Sequence, residues 1–443
     1  MDRSPEPKET VLPESETPPM GEEKTNESVT VGSSSDTQLP MDGGIRAWLT
    51  VLGGSLVGFC TFGAANSFGV YQAFYTLEGT SSASNISWIG SVQLCLIFLM
   101  GLPSGKLFDA GYFHHLQIGG MLLLVFSMFM LSLADTTKYY QLFLSQGLGV
   151  GLGSGLIYVG VVSVQAHHWR KKRALAMGIL NAGSSCGGVV YPIMLNKLIN
   201  GRVGFAWGVR ASAFLTLGLL VIANLSMTTR STHIKGAAAA AGPKKSLKQV
   251  LNDGPYWLTN VGGFLAVLGL YIPYFYIQLF VSLHGLSPSL AFYSLAIMNA
   301  ASIFGRIVLN YAADHVGPFN VICYVSVISA GLVFVLFGAT NTAGVILFTI
   351  LYGFISGGFA SLLPVALASL SNDLSEVGIR IGVGFFVTAF GLLIGNPIAG
   401  ALLNPGFRWF RLIVFCGVEM FGAAALWIVV RYLVARRKGR QRV

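Results

Sequence analysis

Long apolar segments recur through most of this sequence and constrain its fold more than any other feature. A helix needs roughly 20 apolar residues to cross about 30 Å of hydrocarbon. Twelve segments reach this length, at approximately 47–74, 88–104, 116–134, 139–163, 174–195, 205–226, 257–283, 290–312, 319–338, 343–368, 379–402 and 410–434. Only 10% of the residues are charged, whereas soluble domains carry about a quarter. The sequence therefore predicts an all-α membrane protein whose twelve transmembrane helices contact the lipid bilayer.

The polar stretches between these segments divide the chain. Residues 1–40 hold nine Asp or Glu and three Lys or Arg among Pro, Ser, Thr and Gly, a composition typical of disorder. Residues 227–255 carry five Lys or Arg midway along the chain. We predict a disordered acidic tail (1–40), two six-helix halves (41–226 and 256–435) joined by a linker (227–255), and a basic tail (436–443).

Lys and Arg counts predict the orientation, because cytoplasmic loops are enriched in both residues. The side that carries the termini holds Lys106, Arg380, the segment "WRKKR" (169–173), the five linker cations and the final "ARRKGRQR". The opposite side holds Lys138, Lys197, Arg202, Arg408 and Arg411. We therefore expect both termini in the cytoplasm and the protein in the plasma membrane. Asn85, in "NIS", is a glycosylation candidate in the first outside loop, close to the second span.

Several other functions find no support in the sequence. The net charge of +10 comes with cations that lie between apolar spans, so it gives no reason to expect nucleic acid. The five cysteines lie inside apolar runs, and the adjacent histidine pairs at 114–115 and 167–168 point apart on a helix. The stretch "GLGVGLGSGLIYVG" lacks the strand and GK[ST] of a phosphate loop, so its glycines at 147, 151 and 155 are expected to admit a neighbouring helix. We predict no metal, no cofactor and no enzymatic activity.

Two motifs recur at one interval and indicate an internal duplication. "SGKLFDAG", with Asp109, follows the second span, and "GRIVLNYAADHVG", with Asp314, follows the eighth. Pro192 in the fifth span corresponds to Pro397 in the eleventh. Transporters built from such repeats bind substrate near the membrane midplane, between the repeats. We assign gating roles to Asp109 and Asp314.

Ionisable residues inside spans are costly unless they are paired or line water. Arg306 is the main candidate for an anion site, since a guanidinium can hold a carboxylate with two parallel hydrogen bonds. The alternative is that Arg306 pairs with Asp314 two turns away. Glu419 lies mid-span in the last helix, where a proton-carrying role is conceivable but a peripheral position is expected. Further substrate-binding candidates inside the spans are Asn66, Tyr71, Tyr158, Asn181, Tyr271, Tyr274, Gln278, Asn299, Ser302 and Phe359.

The entrance to the first span carries a family resemblance. "DGG" followed by Ala47 and Trp48, then "NSFGVYQAFY", "SGKLFDAG", "IFGR" and "GNPIAGALL", together resemble the monocarboxylate porter family of the major facilitator superfamily, particularly its fungal branch. The resemblance covers roughly residues 41–435 and implies the major facilitator fold and transport by alternating access. In physical terms, Gly43 and Gly44 permit a tight bend, Asp42 can cap the first helix and Trp48 can anchor at the interface.

The chain departs from that family at three places. Members that carry lactate and pyruvate have a Lys where this chain has Asn66, and an Asp where it has Ser302. Where the family keeps basic residues after the loop between spans two and three, this chain has His114 and His115. The departures leave proton coupling open.

We expect a secondary transporter, functional as a monomer, that moves a small organic metabolite of anionic character by alternating access. Export of a secondary metabolite is the main hypothesis. One alternative is uptake of a monocarboxylate or vitamin. An alternative of another class is a membrane sensor that keeps the fold but transports nothing.

Overall fold

The computed structural model describes residues 43–81, 83–199, 201–229, 253–371, 376–403 and 408–443. Within these ranges, twelve helices are long and apolar enough to cross a membrane, which confirms the predicted number. In chain order, α1 to α12 are Ile45–Gln72, Asn85–Asp109, Phe113–Leu133, Tyr139–His168, Arg173–Ile199, Gly204–Ser226, Gly254–Leu283, Pro288–Val316, Pro318–Val335, Thr342–Ser369, Val377–Leu403 and Trp409–Lys438.

Successive helices run in opposite directions, so the bundle has two ends. We call the end where α1 begins and α12 finishes the near side, and the opposite end the far side. On the near side, His168 Nε2 lies 2.7 Å from the carbonyl oxygen of Thr228, which joins the ends of α4 and α6. Lys438 Nζ donates to the Ser369 carbonyl at 3.2 Å and joins α12 to α10. The C-terminal ends of α4 and α6 therefore meet on the near side, and so do those of α10 and α12.

The glycines of α4 at 147, 151 and 155 face α2, as predicted. A Cβ at Gly151 would lie 3.1 Å from Gln93 Cα, and one at Gly155 would lie 2.5 Å from the carbonyl oxygen of Leu96. Larger residues would therefore push the two backbones apart. The glycines act in helix packing.

Four of the described helices are irregular where the sequence predicts continuous spans. A turn falls at Met100 in α2, a π-helical segment covers Phe143–Val150 in α4, and α1 and α7 are each interrupted. In α1, a π-helical turn covers Phe59–Gly63, and a turn at Ser67 precedes the helical segment Phe68–Leu77, which continues past the end of the span at Gln72. In α7, a turn at Tyr271 separates Gly254–Leu270 from Ile272–Leu283. The interval between Ser67 and Tyr271 nearly equals that between Asp109 and Asp314, so the interruptions follow the internal repeat.

The entrance to α1 agrees with the sequence interpretation where the structure describes it. Gly44 precedes the helix with φ 95°, a conformation that residues with a Cβ rarely adopt. The Trp48 side chain is 46% exposed and meets Trp169 edge-on at 4.9 Å. Asp42, the tail 1–40 and most of the linker lie outside the described residues. Asn85 is exposed at the start of α2, where its Nδ2 donates to Ser81 Oγ at 3.0 Å, and its glycosylation stays a prediction.

Candidate functional site

A cavity lies between the first six and the last six helices, near the middle of the spans, and we call it the central cavity. About 710 Å³ of space there is free of protein atoms. Its described wall comes from α1, α2, α4, α5, α7, α8, α10 and α11, and consists of Phe62, Asn66, Phe98, Tyr158, Ser184, Val267, Leu270, Tyr271, Tyr274, Asn299, Arg306, Ser356, Phe359, Ala360, Leu363 and Phe385.

The interruptions of α1 and α7 supply part of this wall. Phe62 belongs to the π-helical turn, and Asn66 directly precedes the turn at Ser67. Tyr271 is itself the turn residue of α7. A π-helical turn shifts the faces of a helix relative to a regular α-helix. The irregular segments thus bring an amide and two rings to the cavity from opposite halves.

Arg306 is the one charged side chain among the described residues that line the central cavity. Its Nε donates to Ser302 Oγ at 3.0 Å on the same helix. Its Nη1 donates at 3.1 Å to the carbonyl oxygen of Asn181 on α5, across the two halves. A guanidinium has five N–H donors, so capacity remains for an oxygen atom of a ligand. These bonds take the place of the alternative pairing with Asp314.

Aromatic rings surround the guanidinium. Tyr158 contacts Phe62 edge-on at 4.7 Å and stacks on Phe385 at 6.1 Å between centroids. The Tyr158 hydroxyl donates to Asn181 Oδ1 at 2.5 Å. Ring faces offer large apolar contact areas, and the tyrosine hydroxyls add polar atoms. A fixed cation among rings suits a ligand that combines a negatively polarised oxygen with a flat or apolar body.

The structure distributes the predicted substrate-binding residues over several places. Seven of them line the central cavity: Asn66, Tyr158, Tyr271, Tyr274, Asn299, Arg306 and Phe359. Asn181 and Ser302 lie behind the wall as partners of Arg306, and Ser302 Oγ is also 2.9 Å from Ser185 Oγ on α5. Gln278 lines a different cavity on the far side.

Tyr71 requires a correction, because its ring lies in neither cavity. It is buried in an apolar cluster on the far side, where it contacts Tyr75 and Phe205 at 6.1 and 6.3 Å between centroids. Tyr71 follows Asn66 by five positions, which turns a helical side chain by about 140°. Spacing alone argues against both residues facing one cavity.

Sequence reasoning missed three phenylalanines of the wall, Phe62, Phe98 and Phe385. Aromatic residues are common in transmembrane helices, and a ring that packs against lipid has the same sequence signature as a ring that lines a cavity. Phe62 could have been found, because the predicted site residue Asn66 follows it by four positions on the same helix face. Phe98 and Phe385 have no predicted site residue at that spacing.

A second cavity lies on the far side of Asn66, between α1, α5, α7 and α8, and we call it the far cavity. It holds about 780 Å³ of space free of atoms, including its open part. Asn66 lines both cavities. The described wall of the far cavity consists of Asn66, Gly69, Val70, Phe74, Gly188, Val189, Pro192, Ile193, Asn196, Gln278, Phe292, Leu295 and Ala296.

Two carboxylates join the halves on the near side, at the positions predicted for gating. Asp109, at the end of α2, accepts hydrogen bonds from the backbone N–H groups of Gly378 at 3.1 Å and Ile379 at 2.7 Å, in the first turn of α11. Asp314, near the end of α8, accepts from Ala174 at 2.9 Å and Leu175 at 2.8 Å, in the first turn of α5.

Both carboxylates use the same physics. The first N–H groups of a helix lack intrahelical partners, and the helix dipole favours negative charge there. Each bond pair connects one half to the other, and we call the two together the near-side latches. Asp109 and Asp314 occupy equivalent positions in the internal repeat, and they make equivalent contacts in the structure.

Twelve spanning helices, a central cavity between two sets of six and contacts that close one end are the architecture of a membrane transporter. The chain belongs to the Major Facilitator Superfamily, whose family model matches residues 54–374.

The relatives are fungal proteins. The chain is 42% identical to the aspyridones efflux protein apdF of Emericella nidulans, over 86% of this chain and 77% of that protein. It is 41% identical to the MFS-type transporter 1 of an Ophiocordyceps species, over 89% and 87% of the two chains. It is 36% identical to the agnestins efflux protein AgnL12 of Paecilomyces divaricatus, over 87% of each.

Solved structures share the fold. A bacterial homologue of the iron transporter ferroportin, crystallised in an outward-facing state with soaked iron, is similar with a TM-score of 0.66 and 15% identity, over 87% of this chain and 98% of that one. The major facilitator transporter FucP in its outward conformation gives a TM-score of 0.64 and 14% identity, over 87% and 98%.

Proposed function

We propose that this transporter exports an anionic or oxygen-rich organic metabolite from the cytoplasm, as a secondary-metabolite efflux protein. The observation that carries the proposal is the charge of the central cavity: Arg306 stands among aromatic rings, and no carboxylate occurs among the described wall residues. The names of apdF and AgnL12 as efflux proteins support export. The protein moves its substrate without making or breaking a bond in it.

The orientation is part of the proposal. Arg170, Lys171 and Lys172 precede α5 on the near side, and Arg436, Arg437 and Lys438 end α12 there. The positive-inside rule then makes the near side cytoplasmic, with both termini and the linker in the cytoplasm, and the plasma membrane is the membrane we propose. In this orientation the structure represents a state that is closed toward the cytoplasm by the near-side latches.

The finer family assignment is also a proposal. The "DGG" entrance and Arg306 favour the monocarboxylate porter family, while Asn66 and Ser302 replace its ionisable pair. The wall residue Asn66 and the buried Ser302 cannot exchange protons with a substrate. We therefore propose that the protein, as a monomer, transports without proton exchange in the cavity.

Transport selectivity tests the proposed function. Purified protein in liposomes is assayed for flux of benzoate and larger aromatic carboxylates, with aromatic amines of the same size as controls. We expect flux of carboxylates only, a loss of at least tenfold in Arg306→Ala, and partial activity in Arg306→Lys, which keeps the charge without the planar donor fork. Equal flux of amines, or full activity of Arg306→Ala at normal expression, would contradict the proposal.

A further inference from the structure

The far cavity differs chemically from the central cavity. Its described wall contains no charged side chain and is mainly apolar, with Val70 from α1, Phe74 from the helical turn that follows α1, Ile193 from α5 and Phe292 from α8. The polar side chains of this wall are amides. Such a surface favours the apolar part of a molecule over an ionised group.

The side chains of Asn66 and Asn299, which we call the collar, lie where the two cavities meet. A Cβ at Gly188 would lie 2.9 Å from Asn299 Oδ1 and 3.1 Å from Asn66 Nδ2. Asn299 belongs to the wall of the central cavity, Gly188 to that of the far cavity, and Asn66 to both. The two cavities therefore adjoin, with uncharged hydrogen-bonding groups at their junction.

The wall of the far cavity also contains a glycine, Gly69, near the amide of Gln278. Gly69 is exposed, and the nearest atom to a Cβ built there is Gln278 Oε1, at 4.0 Å. A side chain at this position would enter the cavity without displacing protein atoms. Gly69 thus keeps space open next to the collar.

We infer that the far cavity is a second subsite, which holds the apolar portion of an elongated amphipathic carboxylate whose charged group contacts Arg306. This inference rests on the proposed function and adds the substrate class. Apolar surface gains roughly 25 cal/mol per Å² when it leaves water, so a ligand body that covers the apolar wall is stabilised. A three-carbon acid at Arg306 would not extend past the collar and would leave this wall in water.

Binding of a graded ligand series tests the inference. The probes are benzoate and 4-alkylbenzoates with one to eight alkyl carbons, titrated calorimetrically into the purified full-length protein in one detergent. Each methylene that enters the far cavity is expected to tighten binding roughly fourfold. Gly69→Leu is expected to bind benzoate within twofold of the native protein and 4-octylbenzoate at least tenfold more weakly.

The control is Gly218→Leu, which makes the same change on an exposed surface of α6 where nothing lies within 4 Å of a Cβ. It should match the native protein for every probe, and comparison within one detergent cancels partition into micelles. If Gly69→Leu also matches the native protein, or native affinity does not rise with chain length, the second subsite is refuted. The anion site then still stands if Arg306→Ala weakens every probe, and it fails as well if Arg306→Ala weakens none.

Discussion

At the central cavity, one residue supplies the positive charge and others hold its side chain in position. Arg306 supplies the positive charge, and Ser302 and the Asn181 carbonyl hold its side chain in position. Glu419, the other ionisable candidate, is half-buried on α12 and does not line the central cavity. A cation such as Arg306 can bind an oxygen atom of the substrate. The described wall of the cavity contains no carboxylate that could take up a proton when the substrate leaves.

Proton dependence follows from this arrangement. We predict that substrate flux in liposomes changes less than twofold when a gradient of about one pH unit is imposed, because the cavity lacks a described acid that can exchange protons. The measurement is repeated in Glu419→Gln and in Asp314→Asn. A dependence of twofold or more in the native protein would contradict the prediction. If Glu419→Gln or Asp314→Asn then removes this dependence, the substituted carboxylate carries the coupling.

At the scale of helices, hydropathy was sufficient for the twelve spans and insufficient for their irregularities. Apolar length alone identifies a span, so α3 and α10 lie close to the predicted positions. The π-helical turn at Phe59–Gly63 and the turn at Tyr271 have no such signal, because their residues are as apolar as those of a regular helix. The same limit applies to the site: Arg306 stands out by its charge, whereas Phe98 and Phe385 resemble lipid-facing rings.

Helix packing gives a prediction about Gly183. A Cβ there would overlap the backbone of Ser55 on α1, so Gly183→Val should destabilise the protein by about 1–3 kcal/mol through overpacking. Gly218→Val, on the exposed surface of α6, should change stability by less than about 0.5 kcal/mol. Thermal unfolding of both variants in detergent measures the difference, and equal melting temperatures would show that α1 and α5 can separate without cost.

At the scale of the whole molecule, the near-side latches join the two halves around the cavity. Each latch sets one carboxylate against two backbone N–H groups of the opposite half. Tyr158 and Arg306 lie deeper in the bundle, beyond the latches from the near side. The latches lie between the central cavity and the near side, and we predict that substrate enters from that side only after their release.

Opening of the near side is the corresponding prediction. Spin labels are attached at Lys171 and Ser369, which lie on opposite halves. Double electron–electron resonance then measures the distance between them across the near side. We expect Asp109→Asn with Asp314→Asn to shift the distribution to longer distances, since the amide loses its charge interaction with the helix dipole. Each single variant should shift it less. An unchanged distribution in the double variant would show that other contacts close this side.

Orientation is tested on the intact cell. Epitope tags at Met1 and Val443 should be detected only after permeabilisation, because α1 begins and α12 ends on the side proposed to be cytoplasmic. A tag inserted after Lys138, on the far side, serves as the accessible control. Staining of either terminal tag on intact cells would reverse the assignment of the near side.

The duplicated latch gives the closed state the properties of a bivalent complex. The two halves belong to one chain. Once Asp109 has bound the first turn of α11, Asp314 is held close to the first turn of α5, at a high effective concentration. The second contact then forms with little further loss of freedom, and neither contact persists long without the other. Closure of this kind behaves as an avidity effect within a single molecule, so a conformation with one latch open should be short-lived and the passage should switch between two well-separated states.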